Sequence, residues 1–124
     1  MDLLAIVERD LEDSAQSLSA DWQFGIAYNA ALKLCAILLY ASGFRPEKNL
    51  AHYRTLQALP LILGPEREDD ADYLDACRAK RNTAEYDAAG TVSQTEAVEL
   101  RAFVQDLRSD TLDWLRRKHP ELAP

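Results

Sequence analysis

Apolar residues recur at three- and four-residue steps through most of the chain, which is the spacing of helices that bury one face. The first such set is Leu4, Val7, Leu11, Ala15 and Leu18. Asp10, Glu12 and Asp13 fall off this face when the segment is drawn as a helix. The pattern therefore predicts an amphipathic first helix.

The next segment is apolar on nearly all sides and predicts a core helix over residues 21–42. Asp21 has the side chain of an N-cap, Gly43 followed by Phe44 suits a left-handed C-cap with an apolar contact, and Pro46 prevents continuation. We expect this helix to be the most buried. Its main apolar residues are Trp22, Ile26, Leu34, Ile37, Leu38 and Leu39.

Three further helices are predicted along the rest of the chain. The third covers residues 49–59, with Tyr53, Leu56 and Leu59 as its apolar face, and Pro60 then kinks it into a turn that ends at Gly64. An acidic segment, residues 66–72, leads into the fourth, which frays near residues 88–90.

Ser93 and Glu96 form a capping box for the fifth helix, which Pro120 stops after a basic last turn. The apolar positions of this helix follow a three-four alternation: Ala97, Leu100, Val104, Leu107, Thr111 and Trp114. The sequence thus predicts one all-α domain over residues 1–124. Its architecture is an antiparallel bundle of four long helices plus one short helix.

Composition narrows the functional classes. The 124 residues include 48% hydrophobic and 28% charged side chains, typical of a soluble globular domain. A net charge of −7 opposes broad nucleic-acid binding, so any such contact has to be local, through clustered arginines. Cys35 and Cys77 are expected to be buried reduced thiols, and no metal site or cofactor is expected.

The apolar run over residues 24–41 raises the question of a membrane span. Asn29 and Lys33 interrupt its centre and basic flanks are missing, so a buried core helix is favoured. The start of the chain has no cationic region before an apolar run, which predicts no signal peptide. We therefore expect a cytoplasmic protein with no membrane partner.

The most distinctive stretch is residues 78–87, Arg-Ala-Lys-Arg-Asn-Thr-Ala-Glu-Tyr-Asp. On a helix, Arg78, Arg81, Asn82 and Glu85 fall within about 100° of arc, and Tyr86 lies just beyond. Arg81 could hold a phosphate in a fork, Arg78 could add charge, and Asn82 could position an oxygen. The alternative is a surface network of Arg81 with Glu85 and Arg78 with Asn82, worth roughly 0.2–0.5 kcal/mol per pair.

Two other polar features are candidates for the same site. Asn29 and Lys33 stand one turn apart on the apolar second helix, and Glu85 or Asp87 could neutralise Lys33 if the second and fourth helices pack together. The alternative is a lysine that extends to solvent. His52 and His119 have no spaced ligand partners, so surface roles are expected for both.

Residues 81–87 resemble the HEPN superfamily (higher eukaryotes and prokaryotes nucleotide-binding), whose signature is an Arg, a polar residue and, about a turn later, a His. Residues 25–33 and 38–46 are similar to the core helix and turn of bacterial members, and residues 52–54 with 58–60 are similar to the segment that follows, so the likeness spans residues 20–118. The resemblance implies a small all-α bundle that forms a homodimer.

In catalytic HEPN members the paired Arg and His cleave RNA without metal at a dimer interface. The resemblance makes Arg81 the motif Arg and Asn82 its neighbour, but Glu85, Tyr86 and Asp87 stand where the His belongs. Tyrosine, with an ordinary pKa near 10, exchanges protons poorly at neutral pH. The expectation is therefore a domain that binds a nucleotide, RNA or protein partner without strong ribonuclease activity.

Two alternatives follow from the same resemblance. One is a metal-independent endoribonuclease toxin of a toxin–antitoxin system, with Arg81 and Tyr86, or Glu85, as its catalytic residues. The other is a non-catalytic dimeric interaction module whose arginines only make salt bridges. Some relatives accompany nucleotidyltransferases in toxin–antitoxin-like pairs, which makes a nucleotidyltransferase-type protein a candidate partner.

Overall fold

The computed structural model describes residues 2–14, 19–45, 51–86 and 92–124, and the side chains at 2, 14, 51 and 84–86 lie outside that description. Within these ranges lie five α-helices: α1 (Asp2–Ser14), α2 (Ala20–Ala41), α3 (Ala51–Leu56), α4 (Glu68–Tyr86) and α5 (Gln94–Lys118). A π-helical turn covers Leu59–Leu63, and 3₁₀ turns cover Pro65–Arg67 and Pro120–Leu122. No β-strand occurs within the described ranges, so the predicted all-α class is confirmed.

Helix α2 lies at the centre and packs against each of the other four α-helices. Half of its residues are buried, including Leu34, Ile37 and Leu38, which have no exposed surface. By length and composition α2 is also the one helix, in the part of the chain described, that could cross a membrane, and 56% of its most apolar window is buried inside the protein. The burial of half of α2 agrees with its apolar composition.

The start of α2 differs from the prediction. Ser19 is the N-cap, and its hydroxyl accepts a hydrogen bond from the backbone N–H of Trp22. Asp21, predicted as the cap, lies in the first turn and its Oδ1 accepts a hydrogen bond from the backbone N–H of Val92, 3.2 Å away. Trp22, predicted in the core, is 69% exposed because no described helix covers this side of the first turn.

The end of α2 follows the prediction. Gly43 has φ +88°, and its N–H donates to Tyr40 O while the N–H of Phe44 donates to Leu39 O. These two bonds form a Schellman motif, which satisfies carbonyls at the helix end. The Phe44 ring is mostly exposed, and Pro46 lies outside the described residues.

The buried face of α1 contains the predicted Leu4, Val7 and Leu11, whereas Ala15 and Leu18 lie outside the described residues. Asp10, which was predicted off the apolar face, is nevertheless only 8% exposed. The reason is its ion pair with Lys33 of α2, to which α1 packs.

Helix α3 is shorter than predicted at its C-terminal end, stopping at Leu56, and residues 49 and 50 lie outside the description. Leu56 and Leu59 are buried as expected, but Tyr53 is 56% exposed. Pro60, which has no N–H to donate, lies in the π-helical turn, so the helix is interrupted where the sequence predicted a kink.

Gly64, at φ +127°, ends the π-helical turn, and α4 then begins with Glu68, Asp69 and Asp70 in its first turn. The acidic start suits the positive end of the helix dipole. Helix α4 is described to Tyr86, and the fraying predicted at residues 88–90 lies outside the described residues.

Helix α5 confirms its predicted start and buried face. The Ser93 hydroxyl accepts from the N–H of Glu96, and the Glu96 carboxylate accepts from the N–H of Ser93. All six predicted seam residues are buried: Ala97, Leu100, Val104, Leu107, Thr111 and Trp114. Lys80 forms an ion pair with Glu96, which connects α4 to the first turn of α5.

Candidate functional site

Polar side chains from three helices meet where α2 packs against α3 and α4. Tyr28 and Asn29 come from the middle of α2, His52 from α3, and Arg78 and Arg81 from α4. Arg78 and Arg81 share one face because residues three apart on a helix are neighbours. We refer to these five residues as the Arg81 cluster.

The Arg81 guanidinium is oriented by two contacts with α2. Its Nη1 donates to Oδ1 of Asn29 over 2.6 Å, and its Cζ lies 5.0 Å from the centroid of the Tyr28 ring. The aromatic face and the amide oxygen both attract a cation without carrying a negative charge. Together they fix the guanidinium plane and leave the Asn29 amide N–H groups as further donors at the same place.

Tyr28 lies beneath the guanidinium and is fully buried. Its hydroxyl is 3.1 Å from Nδ1 of His52, and the two rings stack with centroids 5.9 Å apart. Burial raises the pKa of Tyr28 well above its usual range, although Arg81 and Arg78 oppose this effect. Tyr28 therefore stays protonated at neutral pH and serves to position His52.

His52 is the member of the cluster that sequence reasoning missed, because a surface role was expected for it. The ring is partly buried, and desolvation followed by the charges of Arg81 and Arg78 lowers its pKa. His52 is therefore neutral at neutral pH. A sequence signal did exist, since His52, Leu56 and Leu59 recur at four- and three-residue steps and so share the buried side.

Arg78 donates through Nε to Oδ1 of Asp75, 2.9 Å away, and its side chain is 32% exposed. The alternative network predicted Arg78 with Asn82, but within the described residues that pair makes no hydrogen bond, and the carboxylate of Asp75 takes its place. An Nε contact leaves both terminal nitrogens of Arg78 to other acceptors.

Lys33 does not join the Arg81 cluster. Its ammonium pairs with the Asp10 carboxylate of α1 at 2.6 Å, a partner that neither of the two predicted alternatives named. Asn29 turns to α4 while Lys33, one turn later, turns to α1. The single polar site predicted from Asn29 and Lys33 is therefore divided between two helix interfaces.

The remaining predicted site residues are placed only in part. Asn82 lies one residue after Arg81 and is partly buried. Glu85 and Tyr86 belong to the last turn of α4, but their side chains lie outside the description, as does all of Asp87. The predicted roles of Glu85 and Tyr86 stay predictions.

Other candidate chemistry is limited in the described part of the chain. Cys35 and Cys77 are both buried free thiols, as predicted, and burial raises their pKa values to about 12 and about 11. Such thiols are poor nucleophiles. Among the described residues, no group of three His, Cys, Asp or Glu side chains could hold a metal ion.

The Arg81 cluster can act as an anion receptor. It combines two guanidinium groups, the amide of Asn29 and the imidazole of His52, all of which can donate hydrogen bonds to phosphoryl oxygens. Burial, and then the charges of Arg81 and Arg78, lower the pKa of His52, so the cluster carries local positive charge although the whole chain has a net charge of −7. No family model, curated protein or solved structure matches this chain.

Proposed function

We propose that this protein is a HEPN-like helical domain that binds the phosphoryl group of a nucleotide or RNA at the Arg81 cluster. The observation that carries the proposal is the orientation of Arg81 by Asn29 and Tyr28, with Arg78 one turn earlier on α4. A guanidinium already fixed in one orientation loses little side-chain entropy when it binds an anion. The antiparallel arrangement, the HEPN likeness and a cytoplasmic location belong to the same proposal.

Binding at this site is weak and sensitive to salt. A charge-assisted hydrogen bond contributes about 1.5–3 kcal/mol, and two arginines bring only a few such bonds. The acidic remainder of the chain repels a polyanion at longer range. Short ligands such as mononucleotides and RNA ends are therefore better suited to the cluster than a long duplex.

The test compares Arg81→Ala with the wild type in nucleotide and short-RNA binding at low ionic strength. We expect Arg81→Ala to weaken binding about 10- to 150-fold, because it removes a charge-assisted contact. Arg116→Ala is the matched control, since Arg116 is an exposed residue of α5 and its loss changes the net charge equally. Alanine is a good helix former, so both helices persist.

If the wild type binds neither ligand and Arg81→Ala only lowers the melting temperature, Arg81 is a structural residue that connects α4 to α2. The interaction-module alternative then replaces the proposal.

A second candidate function, metal-independent RNA cleavage, is favoured by the position of His52. In the superfamily motif an imidazole on the same helix accompanies the Arg. In this chain the imidazole near Arg81 is that of His52 on α3, which contacts the Tyr28 hydroxyl. A neutral imidazole can accept a proton from a ribose hydroxyl. Cleavage of single-stranded RNA in the presence of a chelator, lost in His52→Gln, would establish this activity, and intact RNA at high enzyme concentration would reject it.

The third candidate, a dimeric interaction module, is favoured by large apolar side chains at the surface. Phe44 and Leu61, which are 63% and 79% exposed, line a groove between the end of α2 and the π-helical turn. Exposed apolar grooves often form protein interfaces. Within this proposal the chain forms a homodimer or pairs with a nucleotidyltransferase-type protein.

Sedimentation at micromolar concentration tests the homodimer. A species of 28 kDa, twice the 14.0 kDa of one chain, is expected. A monomer at every concentration would contradict it.

A further inference from the structure

His52 has one nitrogen committed to the protein and one that remains for a ligand. Nδ1 is within hydrogen-bonding distance of the Tyr28 hydroxyl, and within the described residues this is the only hydrogen bond of the ring. The Tyr28 hydroxyl can either donate to Nδ1 or accept from it. Protonation of the ring therefore costs no hydrogen bond at Tyr28, and Nε2 can donate to a ligand.

Among the described residues, the charges that act on His52 are those of Arg81 and Arg78 on α4, and α2 contacts the ring through the neutral Tyr28. On α4, Arg78 and Arg81 both disfavour a proton on the ring. Asp75 offsets part of this effect through its ion pair with Arg78. The ring is therefore neutral without a ligand because burial, and then the charges of Arg81 and Arg78, disfavour the imidazolium. An anion bound between the guanidinium groups would offset the part of this effect that comes from their charges.

We propose that a phosphoryl anion bound at Arg81 is taken up together with one proton, which the imidazole of His52 accepts from solvent. The resulting imidazolium donates Nε2–H to a phosphoryl oxygen and Nδ1–H to the hydroxyl oxygen of Tyr28. This inference rests on the proposed function, and it adds that His52 contacts the ligand and makes its binding depend on pH.

The pH dependence has a definite sign. Ligand binding raises the pKa of His52, so affinity is highest below the pKa of the ligand-free protein and falls as pH increases. It levels off above the pKa of the complex. Between the two pKa values one linked proton changes the affinity by up to about tenfold per pH unit.

Proton NMR of the two histidine rings provides the direct measurement, because His52 and His119 are the only histidines. The probe is inorganic sulfate, a dianion that does not titrate between about pH 5 and 8, with sodium chloride at equal ionic strength as the control. We expect sulfate to shift the midpoint of His52 upward by about one pH unit. The ring of His119, which lies beside Trp114 at the end of α5, provides the internal comparison.

The variant His52→Gln separates the effect of the proton from that of the hydrogen bonds. Gln at position 52 can still hydrogen-bond to Tyr28 and to an anion, but it cannot titrate, so His52→Gln should bind sulfate with an affinity that is the same at about pH 5 and pH 8. Parallel titrations with adenosine 5′-monophosphate and with dimethyl phosphate identify the source of the phosphoryl group. If only adenosine 5′-monophosphate raises the midpoint of His52, the site binds a terminal phosphate monoester. If dimethyl phosphate raises the midpoint as well, the site also binds phosphate diesters.

The failures of the two proposals are distinguishable. If ligands perturb amides of α4 near Arg81 while the His52 midpoint stays constant, the proton linkage is wrong and the phosphate-binding proposal stands. The linkage is equally wrong if His52→Gln keeps the wild-type pH dependence of sulfate binding. If no probe perturbs the protein at low ionic strength, both proposals are wrong.

Discussion

The ammonium of Lys33 lies 2.6 Å from Oδ2 of Asp10, so the polar interruption of the core helix is neutralised by the N-terminal helix. The two side chains are 31% and 11% exposed, which places the pair between a surface and a buried ion pair. Removing one partner from such a pair leaves the other charge in a partly desolvated position. The pair therefore contributes mainly to the docking of α1 on α2.

Replacing Lys33 by Met should lower the free energy of unfolding by about 1–2 kcal/mol, because Asp10 loses its partner. Urea denaturation measures the change. Arg116→Met is the control, since the Arg116–Asp113 pair is long, at 3.7 Å, and well exposed, and should change stability by less than about 0.5 kcal/mol. Equal effects of the two substitutions would contradict this assignment, as would loss of nucleotide binding in Lys33→Met.

The Glu96 carboxylate makes part of the stability of the protein depend on pH. The hydrogen bond from Lys80, and then that from the Ser93 backbone, lower the pKa of Glu96 to about 2 from an ordinary 4.5. A depressed pKa in the folded state contributes stability that is complete above about pH 4.5 and is lost as pH falls toward about 2. Glu96→Gln preserves a capping side chain but cannot carry the charge.

We therefore expect Glu96→Gln to melt below the wild type at neutral pH, with the gap closing between about pH 4.5 and 2. Thermal melts monitored by circular dichroism across this range provide the measurement. Glu12→Gln, at an exposed position of α1, controls for the loss of a carboxylate. A gap that stays constant down to about pH 2 would show that the carboxylate charge of Glu96 has no role.

Gly43 and Gly64 both have positive φ angles but differ in their surroundings. A Cβ at Gly43 would meet no atom within 4 Å, whereas one at Gly64 would lie 2.5 Å from the Glu66 carboxylate oxygens. Gly43→Ala should therefore cost about 1–2 kcal/mol of stability from backbone strain alone. Gly64→Ala should cost more because φ +127° with ψ 154° is a conformation that essentially only glycine adopts, whereas the flexible Glu66 side chain can move away from a new Cβ. Adding Glu66→Ala to Gly64→Ala should recover the steric part only, and full recovery in denaturant titrations would contradict a backbone origin.

Leu34 and Trp22 test the packing of α2. Leu34 is fully buried, so Leu34→Ala should lower the free energy of unfolding by about 2–5 kcal/mol through the cavity it leaves. Trp22 is the larger side chain but is 69% exposed, and Trp22→Ala should cost less than about 1 kcal/mol in a monomer. A large loss at Trp22 that depends on protein concentration would instead place this residue in an oligomer interface.

Features determined by neighbouring residues in the chain were predictable. The Ser93 capping box, the Gly43 helix end and the buried face of α5 each depend on side chains within a few turns of one another. The position of Trp22 and the burial of Asp10 were not predictable in this way. Both depend on which side of α2 another helix covers, and that is set by packing between distant segments.

The candidate site was likewise predictable where it depends on local spacing and unpredictable where it depends on the packing of distant helices. The shared face of Arg78 and Arg81 follows from helical spacing, and the polar character of Asn29 within an apolar helix marked it as a candidate. That Asn29 receives a hydrogen bond from Arg81, 52 positions later, depends on the packing of α2 against α4. His52 was missed because it was judged by the absence of metal-ligand spacing and not by its place on the buried side of α3.

The central position of α2 also bears on how the protein opens. Every other α-helix described packs on α2, so no one of them can leave without exposing apolar surface of α2 to water. Partial opening is therefore costly near the middle of α2 and cheaper at helix ends that pack on a single neighbour. Amide protons around Leu34 and Cys35 should exchange with solvent deuterium only through global unfolding, at a rate that reports the stability of the whole domain.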